Sequence, residues 1–417
     1  MKKMFSIVFL LFIGVQSWSQ ELVTLESCYQ SLSENYPLVK QYALLESQNT
    51  LDIDAVDTGK LPQISFDAQA SYLSDVIDIP IPNSGIEPPN NDQYRATLSV
   101  NQLIYNGGAI NATSNLKLAQ LKTQQKQLEV SLYQLKQRVN QYYFSILLQN
   151  ESIALLDSKK NQLETKIKEV KSGIEYGTML PASDKVIEAE LLKIKQQLTE
   201  ILNNKKVLTE TLSSLIGKPL NASTTFQKPD IATNISPTLQ RPELELFQLK
   251  KEEIESQKLL IQKDNMPKLF GFASGGYGNP GLNMLDNSFQ TFYTVGAKLN
   301  WNVFDWNANK KKRESLIINK DIVDNEAEIF QLNTNIELNK YESEITKISE
   351  TILIDSEIIN LRKEVLLATE SQLRNGVITT STYITELTNL YEAENIFATH
   401  NIQLELAKAN YNITQGQ

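Results

Sequence analysis

His400 is the only histidine and Cys28 the only cysteine among 417 residues. Nucleophile–histidine catalysis would therefore rest on one imidazole, a histidine metal cluster cannot be assembled, and no intrachain disulfide can form. Acidic residues are plentiful, but no carboxylate, hydroxyl or amine constellation recurs at a spacing that suits acid/base or nucleophilic work. Cys28 follows "TLES", with Glu21 and Glu26 between it and the apolar N-terminus, so it reads as a small buried helical thiol and not as a lipid attachment point. The one basic run, Lys310-Lys311-Lys312-Arg313, sits in a chain of net charge −9 and reads as a solvated helix face. Enzyme and nucleic-acid readings are thereby set aside, and no cofactor or metal is called for.

With no chemistry to position, the informative residues are those that shape the elements. "MKKMFSIVFLLFIGVQSWSQ" has a positive start, an apolar run too short to span a bilayer, and a small-residue end. Residues 1–20 are expected to be a secretory signal peptide.

The remainder repeats itself. Pro37, Pro62 and Tyr72 recur as Pro242, Pro267 and Tyr277 at an offset of 205. Asn101, Tyr105, Ala109, Gly177 and Gly217 match Asn300, Phe304, Ala308, Gly376 and Gly416 at 199. The offset changes once, inside "VIDIPIPNSGIEPPNNDQ", so the first copy carries a longer loop there. Each copy has one plan: helix, strand, loop, strand, very long helix, turn, helix.

The long helices follow from what is missing. No proline lies between Pro89 and Pro181 or after Pro280, and no glycine within 109–172 or 297–375. Without those breakers about 65 residues can run as one helix in each copy, roughly 100 Å of rod. Two heptad columns mark the first rod: Leu118, Leu132, Val139, Ile146, Ile153, Ile167 and Ile174, and Leu121, Leu128, Leu135, Tyr142, Leu156, Leu163 and Val170. On the second rod one column persists through Leu338, Ile345, Ile352, Ile359, Leu366 and Leu373, while the other fades to Asp355, Arg362 and Thr369. Both rods are expected to have coiled-coil neighbours.

The strands alternate. Ile64, Phe66, Ala68, Ala70 and Tyr72 oppose Ser65, Asp67, Gln69 and Ser71, and Tyr94, Ala96, Leu98 and Val100 oppose Arg95, Thr97, Ser99 and Asn101. Tyr293, Val295, Ala297, Leu299 and Trp301 form a third apolar row; "KLFGFASGGY" is weaker because glycines blur it. Each run is about ten residues, the length a tilted strand needs to cross a bilayer. Tyr72, Tyr94, Tyr277, Tyr293 and Trp301 close the rows, as residues at a membrane interface do. Each pair of strands is expected to be joined by a long polar loop. Four strands cannot close a barrel, and open edges are not tolerated in lipid, so copies must share one; two or three copies would both satisfy the periodicity.

The duplicated plan, the strand-to-helix joints "NQLIYNGG" and "NWNVFDW", and the turns "YGTMLPASDKVIEAE" and "NGVITTSTYITEL" resemble the TolC-like outer membrane efflux proteins (outer membrane factors) over essentially the whole chain after the leader. The resemblance implies an α+β membrane protein. Long coiled-coil helices would form a periplasmic α-barrel, and four strands per chain would enter a twelve-stranded barrel shared by a homotrimer in the outer membrane of a Gram-negative-type cell. The plan becomes 21–216 as first repeat (hairpin 63–105, long helix 107–174, helix 182–216), 217–242 as an equatorial linker, and 243–417 as second repeat (hairpin 268–305, long helix 306–374, helix 381–414). Residues 24–58, 182–216 and 241–264 would supply the short helices.

By the same resemblance, the turns form a periplasmic tip. Gly177, Met179, Leu180, Pro181, Ala182, Ser183 and Asp184, with Gly376, Val377, Ile378, Thr379, Thr380 and Ser381, would meet an adaptor (membrane fusion) protein and an inner-membrane pump of the RND or ABC class. The second turn departs from the family pattern: Ile378, Thr382 and Thr385 stand where an arginine and entrance aspartates are usual. Asp184 and Glu386, with Arg374 as partner, are left as candidates for an entrance gate. The implied function is a passive exit duct for efflux or type I secretion. The competing reading is an exported periplasmic coiled-coil scaffold without a pore; an adaptor is disfavoured by the two full copies of the plan.

Overall fold

The computed structural model describes residues 22–77, 87–221, 223–233 and 238–417; the expected leader and parts of the first strand loop and of the linker lie outside them. In chain order the elements are β1 (Leu22–Val23), α1 (Leu25–Asn35), α2 (Lys40–Asp57), β2 (Gln63–Tyr72), β3 (Asp92–Tyr105), α3 (Ala109–Glu175), α4 (Ser183–Ile216), β4 (Thr225–Phe226), α5 (Pro242–Asp264), β5 (Lys268–Asn279), β6 (Gln290–Asn300), α6 (Ala308–Arg374) and α7 (Thr380–Gln415). They fall into two compact units, one drawn from residues 37–133, 238–336 and 415–417 and the other from residues up to 36, 134–237 and 337–414.

The proposed helix over 24–58 is broken. α1 stops at Asn35, Tyr36 is extended at φ −63°, ψ 139°, and a 3₁₀ turn Pro37–Val39 precedes α2. A residue before proline is driven out of the helical region, which accounts for the break. The second strand of the second hairpin is also shorter than expected, ending at Asn300, so Trp301 lies just beyond it.

The first unit is built around an antiparallel sheet of order β2-β3-β5-β6. Its register settles which side chains share a face. Phe66 pairs with Leu98, Leu98 with Gly275 and Gly275 with Tyr293; Ile64 pairs with Val100, Val100 with Ala273 and Ala273 with Val295. The apolar rows of all the strands therefore coincide on one side. That side is left open: Phe66, Leu98, Tyr293, Val295 and Leu299 are all exposed, and Phe289 stacks on Tyr94 and Tyr277 at one end of it. β5 and β6 share eleven register pairs, about 34 Å of strand, which at a tilt near 40° spans about 26 Å.

β5 is a full central strand despite its glycines, and the pairing gives the reason. Gly276 lies opposite Phe292 and Gly296 opposite Phe272. Each ring covers its glycine, so that a β-carbon would come within 2.5 Å of Phe292 and 2.7 Å of Phe272. These two glycines are seats for cross-strand phenyl rings, an arrangement that restores the side-chain packing glycine lacks.

The second unit is helical. One core joins Cys28 and Leu32 of α1, Val139, Tyr143 and Ile146 of α3, Leu212 and Ile216 of α4, and Ile402 and Ala409 of α7. β1 and β4 pair in parallel beside it, and the Tyr143 hydroxyl sits 2.9 Å from the Val23 carbonyl and 2.6 Å from that of Gln227, fastening the two short strands to α3. Cys28 is fully buried there and its thiol is pushed up to about 12 by that burial; it is a packing residue. A second core takes Leu156, Leu163 and Val170 of α3, Ile187 and Ile194 of α4, Leu373 of α6, and Tyr383 and Leu387 of α7. Each such side chain contributes about 1.5–3 kcal/mol on burial, and Leu156, Leu163 and Val170 continue one of the two heptad columns.

The fading column on α6 is a polar seam to α7. Asp355 Oδ2 lies 2.6 Å from His400 Nδ1, and Arg362 pairs with Glu386 at 3.4 Å. The lone histidine is thus a partner in helix pairing.

Candidate functional site

Two places carry functional geometry: the joints where sheet becomes helix, and the pair of turns that end α3 and α6.

At the first joint Gly107 and Gly108 have φ of +68° and +86°, and at the second Trp306 and Asn307 have +53° and +61°. Both copies therefore use the same left-handed backbone. The backbone hydrogen bonds match as well, while the side-chain bonds reach different positions. Ala109 N donates to Asn106 O, and Ala308 N to Asp305 O; the Asn106 side chain accepts from Gly108 N, and that of Asp305 from Asn309 N. Space differs too. A β-carbon at Gly107 would lie 2.2 Å from Met266 Cβ, so only glycine fits. Trp306 is 80% exposed and edges onto Phe304 at 4.7 Å, so a large side chain is admitted, with left-handed strain of about 1–2 kcal/mol. With Trp301 and Phe304 it forms an exposed aromatic group at the helix end of the sheet.

The two turns are closed alike. Thr178 N donates to Gly173 O and Gly177 N to Ile174 O; Val377 N donates to Gln372 O and Gly376 N to Leu373 O. Each is a paired helix-ending motif with glycine in the left-handed position, φ +71° at Gly177 and +70° at Gly376. Ala182 also takes positive φ, +67°, where α4 begins.

These turns line one open cleft of about 510 Å³. Of the expected tip residues, Gly177, Met179, Leu180, Pro181, Ser183, Gly376, Val377, Ile378, Thr379 and Thr380 border it, joined by Ile174, Thr178 and Leu373. Ala182, Asp184 and Ser381 do not line it. The three gate candidates each pair with another residue: Asp184 meets Lys185 at 3.4 Å, Arg374 meets Glu370 at 3.9 Å, and Glu386 meets Arg362.

The ties between helices are made instead by two lysines seven positions apart on α3. Lys159, buried, bonds Glu190 of α4 at 2.7 Å and Thr388 of α7 at 3.1 Å, with its ammonium 5.1 Å from the Tyr391 ring centre. Lys166, also buried, bonds Glu169 and Glu370 of α6, both at 2.7 Å, and faces Tyr383 at 5.5 Å. Burial alone would lower the Lys166 ammonium, but its two carboxylate partners outweigh that and hold its pKa above the ordinary lysine value. Sequence reading passed over both, because a lysine beside a heptad column reads as a solvated flank. The signal available was their spacing of seven, the period of the columns themselves.

Among the described residues no cluster of side chains suits a metal ion, and no helix is long and apolar enough to cross a membrane. The membrane residues expected from sequence all lie on or beside the uncovered sheet: Tyr72, Tyr94, Tyr277, Tyr293 and Trp301 are exposed. Tyr94 and Tyr277 each stack on Phe289, at 6.4 and 5.4 Å.

Residues 28–218 match the outer membrane efflux protein family. No curated protein matches the sequence, but solved structures share the fold. A structure of CusC, described in terms of folding and transmembrane channel formation, is 11% identical with TM-score 0.69, covering 94% of this chain and 92% of its own. VceC from Vibrio cholerae is 12% identical with TM-score 0.65, covering 94% and 96%. The CmeC outer membrane channel of Campylobacter jejuni is 16% identical with TM-score 0.66, covering 94% and 85%. The match to the outer membrane efflux protein family thus covers one copy of the repeat, and the fold is shared with outer membrane channels over nearly the whole chain.

Proposed function

We propose that the chain is one protomer of a homotrimeric exit duct that conducts solutes passively from a periplasmic adaptor and an inner-membrane pump, of RND or ABC type, to the outside. The observation that carries this reading is the sheet. Its apolar face is uncovered along every strand, and β2 and β6 each leave one edge unpaired in the chain. An open edge is not viable in lipid, and four strands are too few to close; three copies joined edge to edge give twelve strands and leave a lumen. A water-soluble scaffold would have to leave this face bare.

In this account the cleft at Gly177 and Gly376 is the pump-proximal end. The Lys159 and Lys166 ties hold the helices of each protomer in the closed packing, and adaptor docking shifts them to a second packing. Conductance across a planar bilayer tests the reading. Purified protein should insert and give small, rarely open steps, and variants at Lys159 or Lys166 should give larger ones. Folded protein that inserts and never conducts, with or without those substitutions, rejects it.

A further inference from the structure

The loop joining β5 to β6 does not have the polar character expected of it. Between Pro280 and Gln290 it exposes Leu282, Met284, Leu285 and Phe289, and it contains no lysine or arginine. Its polar groups are meanwhile turned on one another. Leu285 N donates to the Asn283 side chain and Asp286 N to the Asn283 carbonyl. Both Asp286 carboxylate oxygens are engaged, by Ser288 and Gln290. Asn287 and Asn90 exchange two hydrogen bonds, of 3.0 and 3.1 Å. A loop in water has no need to satisfy its polar groups internally while presenting large apolar side chains; a segment entering an apolar medium needs both.

Phe289 stacks on Tyr277 and Tyr94, which stand on the apolar face of the sheet, so the loop's apolar surface continues that face around its helix-distal end. We infer that this loop is a lipid-inserting element: Leu282, Met284 and Leu285 enter the acyl region of the outer leaflet beside the barrel and anchor its rim there. The occupant is lipid and not a charged partner, because the loop offers no cation and its one carboxylate is already engaged. The inference rests on the membrane reading of the sheet given above.

Cysteine labelling tests the two separately. Cys28 is buried with a raised thiol pKa, so a nitrobenzoxadiazole probe will attach to an introduced cysteine in preference. Three full-length variants are reconstituted in vesicles of phosphatidylcholine brominated at a shallow acyl position: Leu285→Cys in the loop, Tyr293→Cys on the apolar sheet face, and Asp75→Cys in the exposed segment after β2. The inference predicts that the probe at 285 is quenched by bromolipid to at least half the extent seen at 293, while that at 75 is not quenched. Quenching at 293 without quenching at 285 overturns the loop assignment and leaves the sheet reading standing. Absence of quenching at both overturns the sheet reading and the loop assignment with it. A Met284→Cys variant, examined in parallel, guards against misfolding at 285 and must give the same ranking.

Discussion

Phe272 lies directly opposite Gly296 across the β5–β6 pair, with its ring where a β-carbon on the glycine would be. The three atoms nearest that β-carbon all belong to the ring, whereas at Gly276 both the Phe292 ring and the Ala96 carbonyl oxygen, at 2.6 Å, stand in the way. Gly296→Ala should therefore lower the thermal midpoint in detergent by an overpacking cost of about 1–3 kcal/mol, and Phe272→Ala in the same chain should recover much of it. Gly276→Ala should not be recovered by Phe292→Ala, because the backbone obstruction remains. Equal recovery in the two pairs would show that the rings do not set the register.

The Lys166 tie predicts a separation of stability from gating. Glu169 and Glu370 are partly open to solvent, so Lys166→Met strands no buried charge and should change the melting midpoint by no more than about 1–2 kcal/mol equivalent. It should nevertheless raise the frequency of open steps in single-channel records. A variant that unfolds, or one that gates like the parent, would each contradict the role given to this residue.

Alkaline pH supplies an independent check. The pKa values of Lys126 and Lys166 are raised above the ordinary lysine value of 10.5, against the opposing effect of burial, by their glutamate partners. A raised folded-state value means that the stabilisation is complete below the ordinary value and is lost as pH climbs through the higher one. These pairs should leave the thermal midpoint unchanged from pH 6 to about 9.5 and weaken it above about 10.5. Lys166→Met should flatten part of that alkaline fall.

The helix-ending glycines divide by space. At Gly177 and Gly376 a β-carbon would meet nothing, and only the positive φ constrains the residue, whereas at Gly217 it would lie 2.6 Å from Asn35 Cβ. Asparagine tolerates left-handed backbone. Gly376→Asn should cost under about 1 kcal/mol and Gly217→Asn at least about 2 kcal/mol, the added part being steric. Chemical denaturation of the detergent-solubilised protein reads the difference.

Much of this architecture could be read before any coordinates. Strict alternation at Ile64–Tyr72 and Tyr94–Val100 put the right residues on one face, because strand geometry leaves no other choice. The absence of Pro and Gly marked the long helices, since only those residues end helices without tertiary help. β5 was hard to see because the ring that covers Gly276 comes from Phe292 on the neighbouring strand, which is not a neighbour in sequence. The break at Pro37 was open to view from the proline alone. Trp306 in a left-handed joint could not be foreseen: tryptophan rarely takes that backbone, and only the shared backbone hydrogen bonds of the two copies show that the joint requires it. The Lys159 and Lys166 ties were invisible for a related reason. Each buried lysine is recognised by partners on two other helices, and sequence reports only its own.

In the proposed duct, β6 of one copy pairs with β2 of the next. Disulfide cross-linking in membranes tests it, with Phe66→Cys on β2 combined in turn with Tyr293→Cys, Val295→Cys, Ala297→Cys or Leu299→Cys on β6. At one of these registers the account predicts covalent species of two and three chains and none larger. Monomer alone at all four registers, or a ladder running past three, would contradict it.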